Sequence, residues 1–284
     1  MVDPIRIFRF APSPNGELHL GHAYSALLNL KLAREVGGKC LLRIEDIDTV
    51  RCTPELEKQM LDDLEWIGFE WDEKPRRQSE HFDHYRKALE ALQAKALVYP
   101  STLSRSQIKQ RVRELEVDGT VWPRDPDGSP IYPGVERSLS SKARQSIVAS
   151  DKAYGLRLDM KKAVGDLSFE WIEAGIFTEA EPLRWGDVVI ARKDTPTSYH
   201  LCCVMDDALQ GVTDVVRGKD LYQATSVHVV LQSLLGYVSP RYVHHDLILD
   251  DAGKKLSKSI NSKSIRALRK AGISKEAVWN TLGF

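Results

Sequence analysis

The stretch Phe10-Ala11-Pro12-Ser13-Pro14-Asn15-Gly16-Glu17-Leu18-His19-Leu20-Gly21-His22 decides how the rest of the chain is read. Before it, Ile5 to Phe10 alternates branched and aromatic residues with arginine, the pattern of a strand. Pro12, Pro14 and the Asn15-Gly16 pair cannot continue that strand, so a loop follows. Within Leu18 to Val36, Leu20, Ala23, Leu27, Leu30 and Leu32 recur at helical intervals, and Gly37-Gly38 closes the run. Strand, loop and helix in this order build the phosphate sites of open α/β sheets, because the start of the helix favours negative charge. Gly21 lets a nucleotide approach the backbone, and His19 and His22, one turn apart, offer two imidazoles to phosphate oxygens. The same spacing suits half of a zinc site, but the sequence offers no third ligand nearby.

Outward from this stretch the α/β rhythm continues. Cys40 to Ile44 reads as a second strand, and Thr53-Pro54-Glu55 opens a second helix, with threonine as cap and proline in the first turn. Residues 82–180 break the rhythm with two helical stretches, a Pro/Asp/Gly-rich loop from Trp122 to Gly134 and short strand-like pieces such as Tyr154 to Leu158. The rhythm returns with expected strands at Ser198 to Met205, Val212 to Val216 and Leu247 to Leu249, and a helix through Leu221 to Leu235. The expected organisation is a catalytic α/β domain in two halves, residues 1–81 and 181–250, around an inserted α+β subdomain at 82–180. Residues 251–284 then form a basic loop and a short helical cap.

The 284 residues are 42% hydrophobic, enough to bury a full core. Forty basic and forty acidic residues cancel, which disfavours a protein that coats nucleic acid through a general positive field. The cysteines Cys40, Cys52, Cys202 and Cys203 have no regular spacing, and the adjacent pair would point to opposite faces of a strand, so neither a disulfide framework nor a cysteine zinc cluster is expected. No leader and no apolar run of about 18 residues is visible, and the expectation is a cytoplasmic monomer away from any membrane.

The Phe10–His22 stretch resembles the HIGH signature of class I aminoacyl-tRNA synthetases, in the form of the glutamyl and glutaminyl group. Gly253-Lys254-Lys255-Leu256-Ser257-Lys258-Ser259 looks like the KMSKS loop of the same class. The resemblance implies a Rossmann-type catalytic domain with a parallel sheet. It implies ATP, with its Mg²⁺, held by Pro12, His19, Gly21, His22, Lys255, Leu256, Ser257 and Lys258, with His19, His22 and Lys258 stabilising charge as pyrophosphate leaves. It also implies glutamate held by Arg9, Ala11, Ser13, Glu45, Tyr199 and Arg217. Chemically, a dicarboxylic amino acid needs cationic donors, here Arg9 and Arg217, and an anion for its ammonium, here Glu45; which arginine takes which carboxylate stays open. Asp206-Asp207 invites a magnesium reading, but such a pair recurs in the family as part of the fold.

Full glutamyl synthetases continue into a helical anticodon-binding region, which is not expected here. The short form is similar to the glutamyl-Q branch of the family, whose members attach glutamate to queuosine in the anticodon loop of tRNA(Asp). Cys203, four residues after Tyr199 where full-length members often carry Asn, points the same way. Many short relatives hold a zinc at positions that match Ser101, Leu103, Tyr132 and Glu136 here; with the thiolates gone, no zinc is expected, and apolar contacts through Leu103, Trp122 and Tyr132 should hold the insertion instead. RNA contacts would fall on two local stripes, Arg105, Lys109, Arg111 and Arg113, and Lys263, Arg266, Arg269 and Lys270. The rivals are a compact glutamyl synthetase charging the 3′ end of tRNA(Glu), an idle glutamate- or ATP-binding paralogue, and a related nucleotidyltransferase, which would have no reason for Arg9, Glu45 and Arg217 together.

Overall fold

A computed structural model describes residues 4–117, 119–248 and 264–284. The chain opens with β1 (Ile7–Phe10), α1 (Leu20–Glu35), β2 (Lys39–Ile44), α2 (Pro54–Trp66) and β3 (Arg76–Arg77). Then come α3 (Phe82–Ala94), β4 (Val98–Ser101), α4 (Arg105–Leu115), α5 (Ser141–Ala149), β5 (Gly155–Leu158), α6 (Met160–Val164), the hairpin β6 (Glu170–Glu173) and β7 (Ile176–Glu179), and β8 (Val189–Arg192). The remainder is α7 (Tyr199–Leu209), β9 (Asp214–Gly218), α8 (Thr225–Leu235), β10 (Arg241–His245), α9 (Ile265–Lys270) and α10 (Lys275–Leu282).

Seven strands form one sheet in the order β3-β2-β1-β9-β10-β6-β7, all pairs parallel except the terminal β6–β7 hairpin. Between β1 and β9 the strand order reverses, and ligands of open α/β sheets bind in the crevice at the carboxyl ends of the strands there. Among the described residues three apolar clusters fill the layers of the domain, the smallest around Trp171, Val215, Val229 and Tyr242. Of the larger two, one gathers Phe8, Phe10, Leu27, Leu42 and Leu64 with Val278 and Leu282 of the C-terminal helices; the other gathers Tyr85, Leu201, Val204, Val227 and Leu231 from α3, α7 and α8. The Trp279 indole donates to the Ile67 carbonyl at 2.8 Å and ties α10 to the end of α2. A second sheet, β4-β5-β8, is antiparallel. Residues 82–180 thus supply strands to both sheets, while β8, beyond residue 180, completes the small one.

The opening strand, helix, strand, helix fall where the sequence places them, with the Thr53 hydroxyl accepting from Leu56 N at 3.3 Å as the cap of α2. Ser198 to Met205 is not a strand. Tyr199–Leu209 is a helix whose residues Leu201 to Asp207 are all buried, the two aspartates included, so no solvated face marks it out along this run. Asp206 and Asp207 therefore lie in that helix rather than past a strand end, and Cys203 sits one turn from Tyr199. The last parallel strand is Arg241–His245, upstream of the expected Leu247 to Leu249, of which Leu249 lies outside the described residues.

Candidate active site

A cavity of about 460 Å³ opens at the switch point. Arg9, Ala11, Pro12, Ser13, His19, Gly21, His22, Glu45, Tyr199 and Arg217 all line it. Asn15, Ser25, Asp220, Leu221, His245 and Ile248 also line it and had not been singled out from the sequence. Lys255, Leu256, Ser257 and Lys258 lie outside the described residues, as does Lys263.

One end of the cavity is built by the start of α1. His19 is its cap and accepts from Gly21 N at 3.1 Å through Nδ1, while His22 Nδ1 accepts from His19 N at 3.1 Å. Both rings accept through Nδ1, so the hydrogen of each neutral imidazole is on Nε2, where it is a donor. A methyl on Gly21 would sit 3.1 Å from the His19 ring, which explains the glycine between the two. Buried Asn29 donates to Ser25 O at 2.8 Å and to Val216 O at 3.0 Å, fixing α1 against β9 and so the histidines against Arg217.

The other end is a charge group packed behind the cavity floor. Asp207 Oδ1 accepts from Arg9 Nε at 3.0 Å and from Arg43 Nη1 at 2.7 Å, and Glu45 Oε1 accepts from Arg43 Nη2 at 3.3 Å. Burial pushes Asp207 up, but the two guanidiniums outweigh it and hold the carboxyl at about 2. Glu45 goes the other way, since burial raises it more than Arg43 and Arg9 lower it, so the pocket holds a carboxylate that a cation would relieve. Arg217 differs from both other arginines. It donates to His244 Nε2 at 3.0 Å, His228 Nδ1 at 3.2 Å, the Tyr199 hydroxyl at 3.4 Å, Leu221 O at 3.1 Å and Thr225 Oγ1 at 2.8 Å, and none of these partners is a carboxylate. Asp206 is occupied by Arg76 at 2.8 Å, Gln78 at 2.9 Å and Tyr85 at 2.8 Å, a structural assignment that leaves little capacity for magnesium.

Ser101, Leu103, Tyr132 and Glu136, where the resemblance places a zinc in short relatives, do not fit a metal. Glu136 Oε1 accepts from Thr102 N at 3.0 Å, Thr102 Oγ1 at 2.6 Å and Tyr132 OH at 2.9 Å, and Leu103 N donates to Tyr132 OH at 3.4 Å. Arg157 lies 4.0 Å from the centre of the Tyr132 ring, and the Ser101 hydroxyl turns to Gly155 O at 3.2 Å. Among the described residues no three His, Cys, Asp or Glu side chains are grouped to hold a metal. A polar knot thus ties the insertion here, with Tyr132, expected among its apolar contacts, taking part through its hydroxyl; the Trp122 indole likewise donates to Ile131 O at 2.8 Å. A Cβ on Gly134 would run into both the Tyr132 ring and the Glu136 carboxylate. Gly134→Ala is expected to cost about 1–3 kcal/mol through overpacking, read as a lowered melting temperature, while a chelator leaves the wild type unmoved. An unchanged melting temperature in the variant would dissolve the knot as an anchor.

Of the two basic stripes, Arg105, Lys109, Arg111 and Arg113 do share α4, with Arg111 paired to Glu114 at 3.3 Å. Arg266, Arg269 and Lys270 share α9, and the Arg269 guanidinium lies 6.0 Å from the Trp66 ring centre.

A doubly covered parallel sheet that opens at its switch point onto a histidine-capped helix start defines a nucleotide-binding catalytic domain. Residues 5–284 match the family described as class I tRNA synthetases (E and Q), catalytic domain, and the chain belongs to that family. It is 46% identical to a glutamyl-Q tRNA(Asp) synthetase of Rhodobacter capsulatus, over 98% of this chain and 99% of that protein. A protein of the same name from Symbiobacterium thermophilum is 37% identical over 97% of this chain and 85% of its own length. The crystal structure of a glutamate-tRNA synthetase from Elizabethkingia anophelis superposes with a TM-score of 0.76 at 29% identity; the chain is covered to 95% but spans only 54% of that structure. Among the described residues no helix is long and apolar enough to cross a membrane.

Proposed function

We propose that the protein activates L-glutamate with ATP and transfers it to queuosine in the anticodon loop of tRNA(Asp), as a cytoplasmic monomer working where ATP and tRNA are found. The observation that carries the activation step is a single cavity joining the histidine-headed start of α1 to Glu45, Tyr199 and Arg217. The acceptor follows the relatives that match end to end and bear the glutamyl-Q name.

Glu45 takes the substrate ammonium, and Arg217 with the Tyr199 hydroxyl takes the side-chain carboxylate. Burial holds the Tyr199 phenol well above its ordinary value, so it stays a donor. Arg9 already shares Asp207, which makes Arg217 the cation with most to gain from a substrate anion. An oxygen of the α-carboxylate attacks the α-phosphorus of Mg-ATP, the bond to pyrophosphate breaks, and His19 and His22 donate to the phosphate oxygens as charge shifts. Lys258 of the KMSKS-like loop acts on the same charge. The glutamyl-adenylate is then attacked by a hydroxyl oxygen of the queuosine ring, releasing AMP. No protein nucleophile takes part.

Glutamate-dependent exchange of labelled pyrophosphate into ATP tests the first step. Exchange with glutamate and little with glutamine or aspartate is expected; equal rates with glutamine would contradict the assignment of Arg217. Because Glu45 must be anionic to hold the ammonium and its carboxyl is raised above the ordinary carboxylate value, the KM for glutamate is expected to rise on the acid side while that limb is still above the usual carboxylate range. Glu45→Gln should raise KM and flatten that limb; a limb that persists in the variant would reassign it.

A further inference from the structure

Behind the cavity wall, the contacts of Arg217 continue outward in two chains of side chains. A guanidinium can only donate, so each imidazole nitrogen facing it must be a lone pair. His244 Nε2 accepts from Arg217 Nε at 3.0 Å, which leaves the hydrogen on Nδ1, aimed at Glu173 Oε2 at 2.7 Å. His228 Nδ1 accepts from Arg217 Nη1 at 3.2 Å, which leaves its hydrogen on Nε2, aimed at His200 Nδ1 at 3.2 Å. One arginine therefore dictates the tautomers of three histidines. A protonated imidazole at 228 or 244 would set N–H against N–H, and burial, reinforced by Arg217, holds His200 and His244 at about 4 and pushes His228 well down.

The far end of the longer chain is built into the sheet. Arg217 and His244 are partners in the β9–β10 register, and Glu173 pairs with Tyr242 on the other side of β10. The Glu173 carboxylate collects three donors: His244 Nδ1 at 2.7 Å, His244 N at 2.8 Å and Trp171 Nε1 at 3.2 Å. Glu173, His228 and His244 do not line the cavity. Arg217 is thus held on Nε by His244, on Nη1 by His228 and on Nη2 by Thr225 and Leu221 O, and its longest contact, 3.4 Å from Nη1 to the Tyr199 hydroxyl, joins two residues that both line the cavity.

Resting on the glutamate reading above, we propose that Glu173, His244 and His228 are positioning residues that aim Arg217 at the side-chain carboxylate of the substrate and so set the preference for glutamate over glutamine. A substrate carboxylate slips between Arg217 Nη1 and the Tyr199 hydroxyl, accepting from both. A carboxamide in the same place brings its own N–H groups against a guanidinium that the shell prevents from turning away.

Glu173→Gln tests this with an isosteric change at a position that is not fully buried, where folding is expected to survive. An amide offers one acceptor and one donor where three donors converge. Its NH₂ either faces the His244 backbone N–H or drives the imidazole hydrogen round to Nε2, against Arg217. In pyrophosphate exchange the KM for glutamate is expected to rise about ten-fold, with the KM for ATP within about two-fold and the glutamate-to-glutamine preference falling in step. Glu173→Asp, which keeps the carboxylate, should recover part of the loss. An unchanged glutamate KM, or a rise in both KM values together with a lowered melting temperature, would overturn the proposal and leave Glu173 a structural residue. A wild type with no glutamate-dependent exchange is a separate outcome, visible before any variant is made, and would remove the glutamate reading together with the positioning role.

Discussion

Arg217→Ala is expected to cut glutamate-dependent pyrophosphate exchange by roughly a hundred-fold or more, because a buried charge-assisted recognition contact is worth about 3 kcal/mol. The reason lies in the company each arginine keeps. Arg9 and Arg43 share Asp207, and Arg43 also reaches Glu45, so their charges are answered within the protein. Arg217 is 5% exposed, has five neutral partners and meets its nearest relayed carboxylate, Glu173, only through an imidazole. None of the five hydrogen-bond partners among the described residues is an anion, so a substrate carboxylate would add one. Arg217→Lys is not expected to restore activity, since a point charge cannot satisfy acceptors on three sides at once. Exchange at varied glutamate, beside thermal melting as a check on folding, measures the effect; near-normal KM in a folded Arg217→Ala protein would move the carboxylate to Arg9.

The second large effect is on stability. Asp207→Asn is expected to destabilise the fold by about 3–5 kcal/mol, since it leaves Arg9 and Arg43 with one buried carboxylate, Glu45, in place of two. The pH dependence follows from the direction of the shift. A carboxyl held at about 2 against an ordinary 3.8 contributes stability above its unfolded value, and loses it as pH falls toward the folded one. That contribution is about 2 kcal/mol. Urea midpoints of the wild type should therefore fall between pH of about 4 and about 2. In Asp207→Asn they should start lower and lose that part of the slope. Equal midpoints at neutral pH would show that the quartet is not holding α7 to β1 and β2.

How much of this was legible in the sequence depended on distance along the chain. The HIGH-like loop, Thr53 as a cap and Glu45 just past its strand are local patterns, and each stands where periodicity and turn chemistry place it. The Tyr199–Leu209 helix was missed because Leu201 to Asp207 are buried on every side, erasing the alternation of apolar and polar faces that separates helix from strand. That error hid a consequence: on a helix Tyr199, Cys203 and Asp207 share one face, and the Cys203 thiol reaches Asp207 at 3.7 Å and Arg43 at 3.7 Å. The shell behind Arg217 had no local signal at all, since Glu173 meets His244 across 71 positions through the pairing of β6 with β10. The knot at Glu136 was half legible. Loss of the thiolates could be read, but a carboxylate collecting Thr102 and Tyr132 in their stead depends on loop geometry.

The most direct test of the proposed function is incorporation of labelled glutamate, with Mg-ATP, into tRNA(Asp) from cells that make queuosine and from cells that do not. Label confined to the queuosine-bearing tRNA(Asp) is the predicted result. Label on tRNA(Glu), or equally on both preparations of tRNA(Asp), would contradict it.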